Sequence, residues 1–372
     1  MENIFLERYA QLLVKYSLSI KPGEKLFIQT TPLAEPLVRE VYKAALQAGA
    51  AVIEIDFLFE GKQDIFLQNA NKMQLAEVPP LYELAMQTFD AYLHIRAPYV
   101  ATDRFHSDFD TRKNSKLRQK AMQPIYEIYN QRTGTRALKR CLCQYPTKAG
   151  ADAAKMSLKN YTEFILNACG LKTENATDVW LGVRSAQQHI VDYLNKRSEV
   201  QYRNINTNTD IHFNTLNRIW INSDGQTNMP SGEVYTAPIE DSVNGKIFFT
   251  VPTFWSGQKI TGVQLTVKNG FIEKWSARTN QIYLDALFAH EGARYFGEAA
   301  IGTNMRIQQQ TNNILFDEKI GGTIHMAVGQ SYAQCGGKNQ SNVHHDMMTN
   351  MRNGGEIFAD GILIYRNGGF LI

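Results

Sequence analysis

Apolar positions recur at helical spacing in the first half of the chain and alternate in the second. Residues 4–16 read as an amphipathic helix, Pro22-Gly23 as a turn, and residues 25–29 as a buried strand. Over residues 34–47 the apolar set Leu37, Val38, Val41, Ala44 and Ala45 follows helical spacing, and Gly49 stops the helix before a strand at 51–57. The rhythm continues with a helix at 81–89, a strand at 91–95, a helix at 111–131 and a strand at 140–144. This βαβ alternation predicts an α/β N-terminal domain with a mostly parallel sheet. A helix at 157–169 and the polar run 172–177 put the boundary near residue 180, giving domains 1–180 and 181–372.

Beyond the boundary, short alternating strands replace the βα rhythm. Val263, Leu265 and Val267 lead into Asn269-Gly270, and residues 271–275 return. Asn-Gly is the preferred two-residue hairpin turn, so this pair is antiparallel. One long helix is expected at 283–299, which makes the C-terminal domain α+β, with antiparallel strands. Two further segments read as strands. In 342–347, period-two alternation sends His344 and Asp346 to one face and Val343, His345 and Met347 to the other. In 323–328, Ile324, Met326 and Val328 pack inward, leaving His325 beside the small Ala327 on the opposite face.

Composition narrows the classes. The net charge of +3 over 372 residues leaves no global footprint for nucleic acid or an anionic membrane. No apolar run reaches the roughly 18 residues of a membrane span, and the first residues mix charges into their apolar positions, unlike a secretory signal. The four cysteines, Cys141, Cys143, Cys169 and Cys335, form neither a disulfide framework nor a CxxC knuckle. Free thiols and a cytoplasmic setting follow as expectations.

Several catalytic signatures are missing. The loop after the first strand, Thr30-Thr31-Pro32-Leu33, has no glycine-rich phosphate cradle, and the chain lacks a Walker A sequence, a GxSxG elbow and an HExxH helix. His290-Glu291 begins like the last of these, but Arg294 stands where the second histidine would be. What remains is a concentration of ligand-capable groups: three of the eight histidines, His325, His344 and His345, fall between residues 325 and 345. Two imidazoles with carboxylates suit zinc, cobalt or manganese. On the residues alone, a metal site and a polar core network both stay open.

The chain also resembles, over essentially its full length, the thermophilic-type metallo-aminopeptidases, the family of aminopeptidases T and S. The matching runs include Ile20-Lys21-Pro22-Gly23-Glu24, Tyr145-Pro146-Thr147, and Asn228-Met229-Pro230-Ser231-Gly232-Glu233-Val234-Tyr235-Thr236-Ala237-Pro238. Leu315-Phe316-Asp317-Glu318-Lys319, the strand through His325, and His344-x-Asp346 complete them. The resemblance implies a two-domain homodimer that hydrolyses the N-terminal residues of short peptides with two divalent ions per chain, zinc, cobalt or manganese. It implies Glu233 as a ligand of one ion, Glu298 as the bridge between both, and His325, His344 and Asp346 as the remaining ligands. Glu318 and Tyr332 match residues lining the family's site, in the roles of general base and polarising hydroxyl. The chain departs from the family at His345, where an aromatic or aliphatic residue is expected, and in a short link from Tyr332 to His344. The rival readings are a non-catalytic metabolite-binding protein and a different metal-dependent amidohydrolase on the same scaffold.

Overall fold

Parallel pairing dominates the first half of the chain. The protein is described by a computed structural model that covers residues 1–100 and 109–372. These residues group into two units, Met1–Val179 with Gly225–Pro230, and Trp180–Asp224 with Ser231–Ile372.

The first unit opens with α1 (Asn3–Gln11), which runs on into a π-helical turn at Leu12–Ser17. Then come β1 (Lys25–Thr30), α2 (Glu35–Gln47), β2 (Val52–Phe57), α3 (Lys62–Asn69), α4 (Lys72–Ala76), α5 (Pro80–Thr88), β3 (Ala91–Arg96), α6 (Phe109–Gly134), β4 (Lys139–Gln144), α7 (Lys148–Ala153) and α8 (Leu158–Ala168). The strands order as β2-β1-β3-β4, closed by a short fifth strand, β8 (Asn228–Met229), and every pair is parallel. Central β1 and β3 are mostly buried, as strands covered on both faces must be. Helix α2 buries the five apolar positions its periodicity marks. A core of Phe27, Met86, Phe89, Tyr92, Met122, Ile125 and Leu138 ties this sheet to α5 and α6.

The boundary between the units falls inside α9 (Ala176–Leu194), a helix the sequence reading did not anticipate. The second unit continues with β5 (Glu199–Asn204), β6 (Thr209–Asn214), β7 (Ile221–Ser223), β9 (Glu233–Thr236), β10 (Asn244–Phe249), β11 (Thr253–Trp255) and β12 (Gln258–Ile260). After these follow β13 (Val263–Lys268), β14 (Phe271–Ser276), α10 (Gln281–Phe288), β15 (Phe296–Gly302), α11 (Ile314–Asp317), β16 (Thr323–Gly329), β17 (His344–Asn350), β18 (Gly355–Ala359), β19 (Ile362–Arg366) and β20 (Gly369–Phe370). They form an eight-stranded sheet, β14-β13-β10-β6-β5-β18-β19-β20, and a five-stranded sheet, β17-β16-β15-β9-β7, with β11-β12 as a separate ribbon. Pairing is antiparallel throughout both large sheets. The β13–β14 hairpin turns on Asn269 (φ 48) and Gly270 (φ 77), the doubly positive pair that an Asn-Gly turn supplies.

One core lies between the two sheets. Tyr202, Phe213, Ile247, Phe249 and Leu265 of the larger sheet meet Val234, Ala299, Ile301, Ile324, Met326, Val328 and Met347 of the smaller. The other face of the smaller sheet is therefore free to carry polar groups.

The helix expected at 283–299 does not form over that range. The helix stops at Phe288, and residues 296–302 form the fully buried β15 at the middle of the five-stranded sheet. Two features override the helical preference of this alanine-rich stretch. Gly292, in the turn between helix and strand, takes φ +73, a conformation no helix can run through, and Gly297 lies so close to the end of β16 that an added Cβ would sit 2.3 Å from the Gln330 carbonyl oxygen.

Candidate metal centre

The polar face of the five-stranded sheet gathers its groups from four adjacent segments. On β16, Ile324, Met326 and Val328 enter the core, so alternation turns His325 and Ala327 the other way. On β17, Met347 enters the core, and His344 and Asp346 face the side that His325 faces. On β9, Val234 points inward and Glu233 outward.

Strand β15 needs an additional device. Phe296, Ala299 and Ile301 all belong to the core, and no strict alternation places residues 296 and 299 on one face. The register slips between Phe296 and Glu298, where Phe296 pairs with Val328 and Glu298 with Ala327. The extra residue, Gly297, forms a β-bulge that re-aims Glu298 onto the polar face. Across the sheet, Glu298, Ala327 and Asp346 then lie in one row, and Tyr235, Ala300, His325 and Met348 in the next. Alanines at the centre of both rows leave room between the carboxylates and the imidazoles.

Glu298 spans the two histidines. Its Oε1 is 3.6 Å from His325 Nε2 and its Oε2 is 3.1 Å from His344 Nε2. His325 Nε2 also lies 3.5 Å from Glu233 Oε2, and His344 Nε2 lies 3.7 Å from Asp346 Oδ1. His344 Nδ1 sits 2.8 Å from the Gln330 carbonyl oxygen. A carbonyl only accepts, so Nδ1 carries a proton and Nε2 is the ring atom turned to the cluster. The Tyr332 hydroxyl is 3.3 Å from the same Nε2, and its ring packs on His344 and edge-on to Tyr235.

The remaining groups come from the end of α11. Its first turn is capped by Asn313, and buried Asp317 accepts hydrogen bonds from the Thr311 amide and hydroxyl, which fixes the turn. The chain leaving that turn carries Glu318 and Lys319. Lys319 is wholly buried, and its Nζ donates to Glu233 Oε1 at 2.8 Å and to Glu318 Oε1. On the backbone side, Gln187 of α9 donates to the Glu233 carbonyl at 3.2 Å.

The seven residues that the family resemblance marks, Glu233, Glu298, Glu318, His325, Tyr332, His344 and Asp346, thus stand in this one cluster. His345 does not. It points to the opposite face, where its Nε2 meets the Thr253 hydroxyl at 2.8 Å and its ring lies edge-on to Trp255. Burial holds its pKa down at about 4. Lys319 is the member that sequence reasoning missed, since a lysine beside a glutamate ordinarily reads as a solvated pair.

The electrostatics are those of a site crowded with carboxylates. Burial alone would lower both imidazole pKa values, but the acids facing them win: Glu298 and Glu233 raise His325 to about 9, and Asp346 and Glu298 raise His344 to about 10. Burial pushes Glu318 up to about 8 despite the opposing charge of Lys319. Burial would likewise lower Lys319, yet Glu233 and Glu318 keep it above the usual lysine range.

Several deeply buried atoms here have no hydrogen-bond partner: Glu233 Oε2, both ring nitrogens of His325, and Asp346 Oδ1. Buried polar atoms are rarely left unsatisfied without a reason. Two trios, Glu298-His344-Asp346 and Glu318-His325-Asp346, each bring their ligand atoms within 4.8 Å of one another. Orphaned oxygen and nitrogen atoms converging at such distances fit a divalent cation bound by imidazole and carboxylate.

Comparison with known proteins places this geometry in context. The profile of a family described as thermophilic metalloprotease (M29) matches residues 3–370. Aminopeptidase 2 of Geobacillus stearothermophilus is 28% identical over 356 residues, covering 88% of this chain and 84% of its own. Aminopeptidase PepS of Streptococcus thermophilus is 24% identical over 413 residues, covering 99% of this chain and 98% of its own. A solved structure, wild-type AmpT from Thermus thermophilus, shares the fold with a TM-score of 0.82 over 99% of both chains at 21% identity.

Proposed function

The chain belongs to the thermophilic metalloprotease (M29) family and is a metal-dependent aminopeptidase, and on that premise we propose that it releases N-terminal residues from short peptides at a centre of two divalent ions. The observation that carries the two-ion reading is Glu298, whose two oxygens face two different histidines. Glu233 and His325 would hold one ion, His344 and Asp346 the other, with Glu298 common to both; zinc, cobalt and manganese all suit this donor set. When bound, such ions supply an activated water and polarise the scissile carbonyl.

The rest of the chemistry falls to side chains. Glu318 lies within reach of His325 and Asp346 but is not among the five ligands assigned here, which leaves its carboxylate to take the proton from the attacking water and return it to the leaving amine. The Tyr332 hydroxyl, at the half-open edge of the site, can donate to the carbonyl oxygen as it gains charge. His344 keeps its orientation through the Gln330 carbonyl. We further propose a cytoplasmic homodimer. The four cysteines are free, and no helix among the described residues is long and apolar enough to cross a membrane. Light scattering at assay concentration checks the dimer.

The test of the peptidase reading uses matched substrates. Short peptides with a free N-terminus should be cleaved one residue at a time, and their N-acetylated counterparts at least about a hundredfold more slowly, because an exopeptidase site must hold the free amine in place. Equal turnover of blocked and free peptides would instead mark a different amidohydrolase.

A further inference from the structure

We propose that Lys319 is a positioning residue of this centre, whose ammonium engages one oxygen of Glu233 and one of Glu318, presenting Glu233 to the metal through a single oxygen and keeping Glu318 free for proton transfer. The inference rests on the function proposed above and adds a residue to it.

Three observations support it. Lys319 has no exposed surface, so its charge is neutralised by protein groups alone. Its Nζ takes Oε1 of Glu233 at 2.8 Å, while Oε2 of the same carboxylate is buried, without a hydrogen bond, and turned to His325 Nε2 at 3.5 Å. The two oxygens are therefore divided between a fixed cation on one side and the ligand cluster on the other. Nζ also takes Oε1 of Glu318, the residue that directly precedes it in the chain, so one ammonium sets the spacing between the two carboxylates.

The location is costly by charge alone. A fixed positive group a few ångströms from a cation site repels the incoming ion, and in a buried site that repulsion is weakly screened. If Lys319 served affinity, its removal would weaken metal binding. If it serves geometry, removal leaves binding intact or tighter and disorders the carboxylates.

The experiment compares wild type with Lys319→Met and Lys319→Arg, reading cobalt binding by calorimetry, the visible absorption of the cobalt-loaded protein, and kcat and KM on an aminoacyl anilide. Lys319→Met should bind cobalt at least as tightly as wild type, show an altered absorption spectrum, and lose about a hundredfold in kcat with KM changed by less than about threefold. Lys319→Arg, which keeps the charge, should recover kcat to within about tenfold of wild type. A wild-type spectrum with kcat within about threefold in Lys319→Met overturns the proposal, and so does loss of cobalt together with activity. Should Lys319→Met fail to fold, Glu318→Gln compared with the double variant Glu318→Gln/Lys319→Met removes the charge imbalance, and identical cobalt spectra in that pair overturn the proposal. A wild type that binds cobalt but cleaves no anilide refutes the peptidase reading, and the spectra still decide the role of Lys319.

Discussion

His344→Ala is expected to lower kcat by at least about a hundredfold and to reduce bound metal, while His345→Ala keeps its metal and changes the rate by about tenfold or less. The two residues are neighbours in β17 but face opposite sides of the sheet. His344 Nε2 looks into the cluster, 3.1 Å from Glu298 and 3.7 Å from Asp346. Removing that imidazole deletes a proposed ligand atom and releases Glu298 from one of its two partners. His345 serves packing, held by the Thr253 hydroxyl and the Trp255 ring on the far side. Its loss opens a small space behind the strand and should reach the site only through a slight shift of β17. Metal analysis and kinetics on the two variants check this, and the opposite pattern, metal lost from His345→Ala and kept by His344→Ala, refutes the assignment.

Exhaustive chelation should abolish turnover and leave the fold in place, with activity returning on addition of zinc, cobalt or manganese. The hydrophobic cores described above contain none of the proposed ligands, so their burial does not depend on an ion as a zinc finger's does. In the metal-free chain, His325 and His344 have pKa values raised from 6.5 to about 9 and about 10. The sign follows from linkage: a raised pKa means the folded chain favours the proton, so this stabilisation is complete below pH 6.5 and disappears as pH rises through 9 to 10. Near neutrality two imidazolium ions therefore stand among the carboxylates in place of metal. Reloading must displace those protons, so metal affinity should weaken as the pH is lowered. Circular dichroism, activity and metal titration at two pH values check all three effects, and full turnover after verified metal removal would contradict the reading.

Much of this was legible in the sequence, for identifiable reasons. The βαβ rhythm of the first half comes through because α2 buries the very positions that its spacing marks and β1 is buried along most of its length. The faces of β16 and β17 were readable because period-two alternation is unbroken there, and Ala327 marked the space beside His325. Alternation failed at Glu298, where the bulge at Gly297 inserts a residue that no periodicity anticipates, and the surrounding alanines favour a helix that the sheet overrides. Lys319 stayed hidden because burial of a lysine depends on carboxylates brought from β9, remote in sequence. Helix α9 was missed because its buried face includes Gln187, whose partners on β7, β9 and the end of β15 exist only in the folded chain. The return of residues 225–230 to the first sheet has no local signal at all.

The bulged strand β15 also bears on the order of events during folding. Glu233, Glu298, His325 and Asp346 approach one another only after β9, β15, β16 and β17 have paired in register, across loops that include α11 and the segment carrying Tyr332. Closing such long loops is slow compared with local structure formation. An ion meeting the unfolded chain finds at most the local pair His344 and Asp346, with Glu233, Glu298 and His325 remote along the chain. Metal capture is thus expected to follow the pairing of these strands, so that the architecture is built before the proposed chemistry can begin.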